Sequence, residues 1–190
     1  MELKIKRTHS TRLYTEGLLY INDMRTTSTV EDTLTMLPAG LYRIRLTKGK
    51  KRRRVIGIIP NPPHKGGVGG GLYHFEACGS HISSRKNNSI CIGQPIIPGA
   101  LAKGRDIYDR LFDRIEKAEA RKEPIYLIIT DDNMTTGDPI QYWLEPSDHN
   151  CPATKRRVEL NEEDNSVDIY EGNIHIRHLT VEEQKALREA

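Results

Sequence analysis

Leu41-Tyr42-Arg43-Ile44-Arg45-Leu46, followed after a basic run by Val55-Ile56-Gly57-Ile58-Ile59, is the stretch on which the fold class turns. In an extended chain Tyr42, Ile44 and Leu46 fall on one face, and Arg43 and Arg45 on the other. That period of two marks a half-buried strand. Val55 to Ile59 is a second apolar run, ended by Pro60, Pro62 and Pro63, which cannot donate to a ladder. Lys48-Gly49-Lys50-Lys51-Arg52-Arg53-Arg54 lies between them. The pair is therefore expected to form a hairpin with a basic tip.

Outward from this hairpin the β signal continues. Leu3 and Ile5, then Leu13 to Ile21, are rich in strand formers, with His9-Ser10-Thr11 and Glu16-Gly17 read as turns. Leu72-Tyr73-His74-Phe75, Ile90-Cys91-Ile92-Gly93 and Ile125-Tyr126-Leu127-Ile128-Ile129 read as further strands, the last central to a sheet. One long helix is predicted, from Gly104 to Lys122. Ile107, Leu111, Ile115 and Ala118 recur at helical spacing, Asp106 and Arg110 form an i,i+4 pair, and Pro124 stops it.

After residue 131 the chain turns polar, with Tyr142 and Trp143 as a docking point. Val167-Asp168-Ile169-Tyr170 and Ile174-His175-Ile176 flank Glu171-Gly172-Asn173 as a terminal hairpin. Thr180-Val181-Glu182-Glu183 has the form of a capping box opening a last short helix. The expected architecture is mainly β (α+β), with residues 1–130 as one domain and residues 131–190 as an acidic extension packed on it.

Composition narrows the class. Of 190 residues, 36% are hydrophobic and 29% charged, which fits a globular chain and not a disordered one. No run approaches the ~18 apolar residues of a membrane span. The first residues carry no apolar signal core and the cysteines number three, so synthesis in a reducing cytoplasm is expected. Net charge +3 hides an asymmetry. Residues 131–190 carry 14 Asp/Glu against 6 Lys/Arg, and residues 1–130 carry 12 against 23. The acidic extension is expected to screen the basic body or to contact a protein partner. The run at 48–54 is basic, but the only ring near it in sequence is Tyr42, which argues against nucleic-acid binding by stacking.

Several residues bear chemistry. Gly66, Gly67, Gly69, Gly70 and Gly71 form a glycine-rich loop with no Gly-Lys-Ser/Thr after it, so it is no phosphate loop. His74 is a candidate base, with Ser89 and Cys78 as candidate nucleophiles. Cys91 sits among apolar residues and reads as a buried thiol. His74, Cys78, His81 and Cys91 offer zinc-compatible atoms, but their spacing matches no standard finger, so no metal is assigned and no cofactor is implied.

The order of these pieces resembles a family of uncharacterised phage and bacterial domains. The resemblance rests on Leu3-Lys4-Ile5-Lys6-Arg7, Gly17-Leu18-Leu19-Tyr20-Ile21, Val30-Glu31-Asp32-Thr33, Leu37-Pro38-Ala39-Gly40-Leu41-Tyr42, Tyr73-His74 and Asn88-Ser89-Ile90-Cys91-Ile92-Gly93. That family in turn looks like the L,D-transpeptidase (YkuD-like) fold, in which a cysteine activated by a histidine attacks a peptidoglycan peptide. The resemblance implies His74 as base, Ser89 or Cys78 as nucleophile, and Gly69, Gly70, Gly71, His81 and Asn88 beside the substrate. Asn88-Ser89 stands where the pattern has Gly-Cys, so the nucleophile motif is degenerate. Two readings follow. One is a phage- or bacterium-derived domain that binds or processes cell-wall peptide by acyl transfer or amide hydrolysis, delivered to the wall. The other is a non-catalytic structural or assembly protein, as of a phage particle, that reuses the fold.

Overall fold

The basic hairpin forms as its pattern requires. In the computed structural model, β4 (Gly40–Lys48) and β5 (Arg54–Pro60) pair antiparallel from Tyr42↔Pro60 to Lys48↔Arg54. Tyr42 and Ile44 are buried, and Arg43 and Arg45 are exposed. The structure describes residues 1–12, 14–48, 54–60, 73–77, 88–136, 156–171 and 174–189. The hairpin tip at 49–53, the glycine-rich loop and the Tyr142-Trp143 segment lie outside the described residues.

The fold is mainly β. The other strands of its first half are β1 (Glu2–Ser10), β2 (Tyr14–Ile21) and β3 (Met24–Asp32). Then come β6 (Tyr73–Ala77), β7 (Ser89–Ile97), β8 (Ala100–Ala102), helix α1 (Gly104–Ala120) and β9 (Tyr126–Thr130). Eight strands run in the order β1-β2-β3-β7-β6-β5-β4-β9, and β9 returns to pair with β1, closing a barrel. Closure removes the sheet edges. Eight strands leave an interior that side chains alone can fill. Leu3, Ile5, Leu19, Ile58, Phe75, Ile90, Leu127 and Ile129 fill it.

Helix α1 adds Leu111, Ile115 and Ala118 to the same core. It closes the end where β4 finishes and β5 begins. There Leu46 N–H donates to Glu119 Oε1 at 2.8 Å, and Ile56 N–H donates to the Tyr108 hydroxyl at 3.3 Å. Arg54 holds Glu116 at 2.7 Å and Glu119 at 3.3 Å. The i,i+4 ion pair on the exposed side is Arg105–Asp109, one residue before the expected Asp106–Arg110.

Past β9 the chain forms β10 (Thr135–Thr136), which pairs with β1, then β11 (Arg156–Leu160), β12 (Val167–Glu171), β13 (Ile174–Leu179) and helix α2 (Val181–Glu189). The terminal hairpin is β12–β13, and β11 adds a third strand to it. The capping box is present: Glu183 N–H donates to Thr180 Oγ1, and Thr180 N–H to Glu183 Oε2 at 2.8 Å. Val158, Val167, Ile169 and Leu179 share a second core with Tyr14, Val30, Cys91, Ile97 and Leu101 of the barrel side.

Of two expected breaks, the one at His9-Ser10-Thr11 falls later, between Ser10 and Tyr14, and the one at Glu16-Gly17 does not occur. β1 continues through His9 and Ser10 with a shift of register after Arg7, and β2 runs unbroken through Glu16-Gly17. Gly17 is there for closeness: a Cβ would lie 2.8 Å from Thr29 Oγ1 and 3.2 Å from Ile5 Cγ2. β3 carried no strand signal, because Thr26-Thr27-Ser28-Thr29 is polar. Its second half is buried on both faces, one in the barrel and one under the second core, so no alternation develops. Among the described residues, no helix is long and apolar enough to cross a membrane.

Ile115 is wholly buried where α1 meets the barrel core. Ile115→Ala is expected to lower unfolding free energy by about 2–5 kcal/mol in a denaturant titration. A loss below about 1 kcal/mol would mean that α1 does not close the barrel.

Candidate functional site

β6 and β7 form a parallel pair in a barrel whose neighbours are mostly antiparallel, and this pairing assembles part of the expected site. His74 is the register partner of Ser89, and His74 N–H donates to the Asn88 carbonyl at 3.1 Å. Phe75 and Ile90 point into the barrel, so by strand alternation His74 and Ser89 both face outward. Two of the candidates read from the sequence, His74 and Ser89, therefore meet on one patch of outer sheet, and Asn88 adjoins it through its backbone carbonyl. Cys78, His81, Gly69, Gly70 and Gly71 lie outside the described residues.

The chemistry of this patch is limited by burial. His74 is half-buried, but Ser89 is only 6% exposed, and its hydroxyl is closed to solvent. Among the described residues that hydroxyl has no hydrogen-bond partner, so the His74 ring is not seated on it. General-base activation of a serine needs the base within roughly 2.6–3.2 Å of the hydroxyl. Cys91 points to the same outer side two residues on. It is a free thiol, 5% exposed, within the second core, as its apolar neighbours predicted. Among the described residues no three His, Cys, Asp or Glu side chains are grouped to hold a metal ion.

At the barrel end opposite α1, inside the wall, lies a charged cluster that sequence reading missed. Arg7 is 1% exposed. Its Nε and Nη2 donate to the two Glu31 carboxylate oxygens at 3.0 and 2.9 Å. Nη2 also donates to the Leu37 carbonyl at 2.6 Å, and Nη1 to Asp131 Oδ1 at 3.1 Å. The Tyr42 hydroxyl donates to the Pro38 carbonyl at 2.5 Å. The segment between β3 and β4 is thus held across the mouth.

Burial alone would weaken the Arg7 charge, but the hydrogen bonds and charge of Glu31, with Asp131 behind them, more than offset it. Its proton is held above the ordinary range. Burial pushes the Glu31 carboxyl up, against the pull of the Arg7 fork. Burial likewise raises Tyr42 and Tyr73, so both keep neutral phenols at neutral pH. This sealed, satisfied arrangement ties β1, β3, residues 37–38 and Asp131 together. One signal for it was in the sequence: Arg7 occupies the inward position after Leu3 and Ile5 at period two.

A cavity of about 220 Å³ lies elsewhere, on the seam between β7–β8 and α2, with Gln94, Lys103, Asn165, Gln184 and Lys185 in its lining. Comparison of the chain with known protein families, curated proteins and solved structures finds no match.

Two stability measurements test these environments. Glu31→Leu strands the Arg7 charge and is expected to cost about 3–5 kcal/mol, whereas Arg7→Met with Glu31→Leu recovers most of it. Losses of Glu31→Leu and Arg7→Met that add up to the loss of the double variant would mean that the pair is not coupled. Ser89→Ala removes a buried hydroxyl that lacks a partner, and its unfolding free energy is expected to stay within about 1 kcal/mol of wild type or to rise. A loss beyond about 2 kcal/mol would reveal a hydrogen bond to Ser89.

Proposed function

We propose that this chain is a non-catalytic binding or assembly protein that reuses an L,D-transpeptidase-like barrel. The observation that carries this reading is the Ser89 hydroxyl. It occupies the motif position that the resemblance assigns to the nucleophile, yet it is closed to solvent and makes no hydrogen bond among the described residues. A nucleophile must meet both its substrate and its base. Asn88, in place of a glycine, instead spends its carbonyl on the His74 backbone N–H, a contact that stiffens the β6–β7 pair. The ligand class that the resemblance suggests is a cell-wall peptide, met at the outer face of β6–β7. The setting it suggests is a phage particle or a protein delivered to the wall.

The catalytic reading, acyl transfer or amide hydrolysis with His74 as base and Ser89 or Cys78 as nucleophile, has one observation in its favour. His74 and Ser89 are register partners on the same face, so a modest side-chain movement would bring them together.

Labelling with a serine-directed and a thiol-directed acylating probe separates the two. The binding reading expects no serine label, and any Cys78 label to survive His74→Ala. Labelling lost in both Ser89→Ala and His74→Ala, or Cys78 labelling that depends on His74, would replace it with the enzyme reading. Retention on purified peptidoglycan, unchanged in Ser89→Ala, is the positive outcome for cell-wall binding.

A further inference from the structure

The barrel has two unlike outer sides. Beneath the C-terminal sheet the outward residues of β3 and β7 are buried, as Val30 and Cys91 show. Across the barrel, Tyr20, Lys4, Tyr126, Leu41, Arg43 and Ile59 on the outer face of β2, β1, β9, β4 and β5 are half-buried or exposed. Register places these in cross-strand rows. Tyr20, Lys4, Ile128 and Leu41 form one row, and Tyr126, Arg43 and Ile59 the next. Arg45 follows Arg43 on the same face of β4.

The charges on this face are unevenly spent. Lys4 is held by Asp23 at 3.1 Å and Glu2 at 3.5 Å. Lys6 is exposed, and its ammonium stands 5.1 Å from the centre of the Tyr20 ring. Arg43 and Arg45 are exposed, and neither is in an ion pair or hydrogen bond among the described residues. Three cations that no carboxylate among the described residues holds thus lie around two tyrosines on a continuous sheet surface. In sequence these groups are far apart, and only the closure of β9 between β1 and β4 brings Tyr126 beside Arg43.

We propose that this face binds single-stranded nucleic acid, with phosphates on Arg43, Arg45 and Lys6 and a base stacked on Tyr126. Guanidinium groups pair with phosphate through two donors at once, and unpaired guanidinium groups are free to do so. The tyrosine is what favours nucleic acid over an acidic peptide, because a base offers a flat face to stack and a carboxylate does not. The proposal uses neither Ser89 nor His74 and stands on its own whether or not the function proposed above holds.

The test is fluorescence anisotropy of the full chain with a labelled oligodeoxythymidylate of about 20 nucleotides, long enough for several binding sites of this kind. Affinity is expected to fall steeply between about 50 and 200 mM salt. Arg43→Ser with Arg45→Ser should flatten the logarithmic salt slope by about 1.4, the share of two phosphate contacts. Tyr126→Leu should weaken the oligonucleotide by about 5- to 150-fold, while Tyr126→Phe retains it. Heparin, a polyanion without bases, should not distinguish these two variants. Circular dichroism confirms that each variant is folded. No binding at about 50 mM salt overturns the proposal. So does an oligonucleotide affinity indifferent to Tyr126→Leu. Polyglutamate competing as well as the oligonucleotide also overturns it and would make the face an acidic-peptide surface.

Discussion

Everything in this molecule depends on the pairing of β1 with β9. Residues 2–6 lie in parallel register with residues 126–130, which turns an eight-strand sheet into a closed wall. Without that ladder, β1 and β9 would each present a row of unpaired backbone groups, and the interior would open to water on one side. The ladder joins the two ends of the barrel sequence, so the loop closed on folding is nearly the whole domain. Such long-range pairing is slow to form and rewards the chain only when the rest of the core is in place. The filled interior and the plug supplied by Leu111 and Ile115 provide that reward.

The Arg7 cluster sits at the end of this ladder, just past Lys6↔Thr130. Its guanidinium joins Glu31 on β3 to Asp131, 124 residues away, just past the end of β9. A buried ion pair adds little net stability over apolar packing, since both charges lose their water. What it adds is direction. An arginine with a bidentate carboxylate, a backbone carbonyl and a second carboxylate has one geometry, and a shifted register would strand the charge. The resemblance motifs containing Arg7 and Glu31 thus have a physical reading of their own: they hold the barrel mouth together.

The same barrel decides which surfaces remain for function. The C-terminal sheet covers the outer side of β3 and β7 around Val30 and Cys91 and buries that thiol. The opposite outer side keeps Arg43, Arg45 and Lys6 in solvent. An outward wall residue beneath the second core is sealed, as Tyr14 is, while one away from it on the same strand, such as Tyr20, is only half-buried. Lys103, Gln184 and Lys185 mark the seam between the two bodies, where packing leaves a cavity.

By itself the sequence determined the local elements. Period-two alternation at Tyr42, Ile44 and Leu46 made β4, helical spacing at Leu111, Ile115 and Ala118 made α1, and the Thr180 to Glu183 box started α2. These signals are local because each element buries one face and exposes the other. β3 escaped because burial of both faces of its second half erases alternation, and Gly17 misled because a close approach looks like a turn. His74 and Ser89 were legible as residue types, but their parallel register and the burial of the hydroxyl exist only once β6 and β7 pair in the folded chain. The same holds for Arg7 beside Asp131 and Tyr126 beside Arg43. Such pairings are set by closure of the sheet, and closure is a property of the whole chain, which no short window of residues contains.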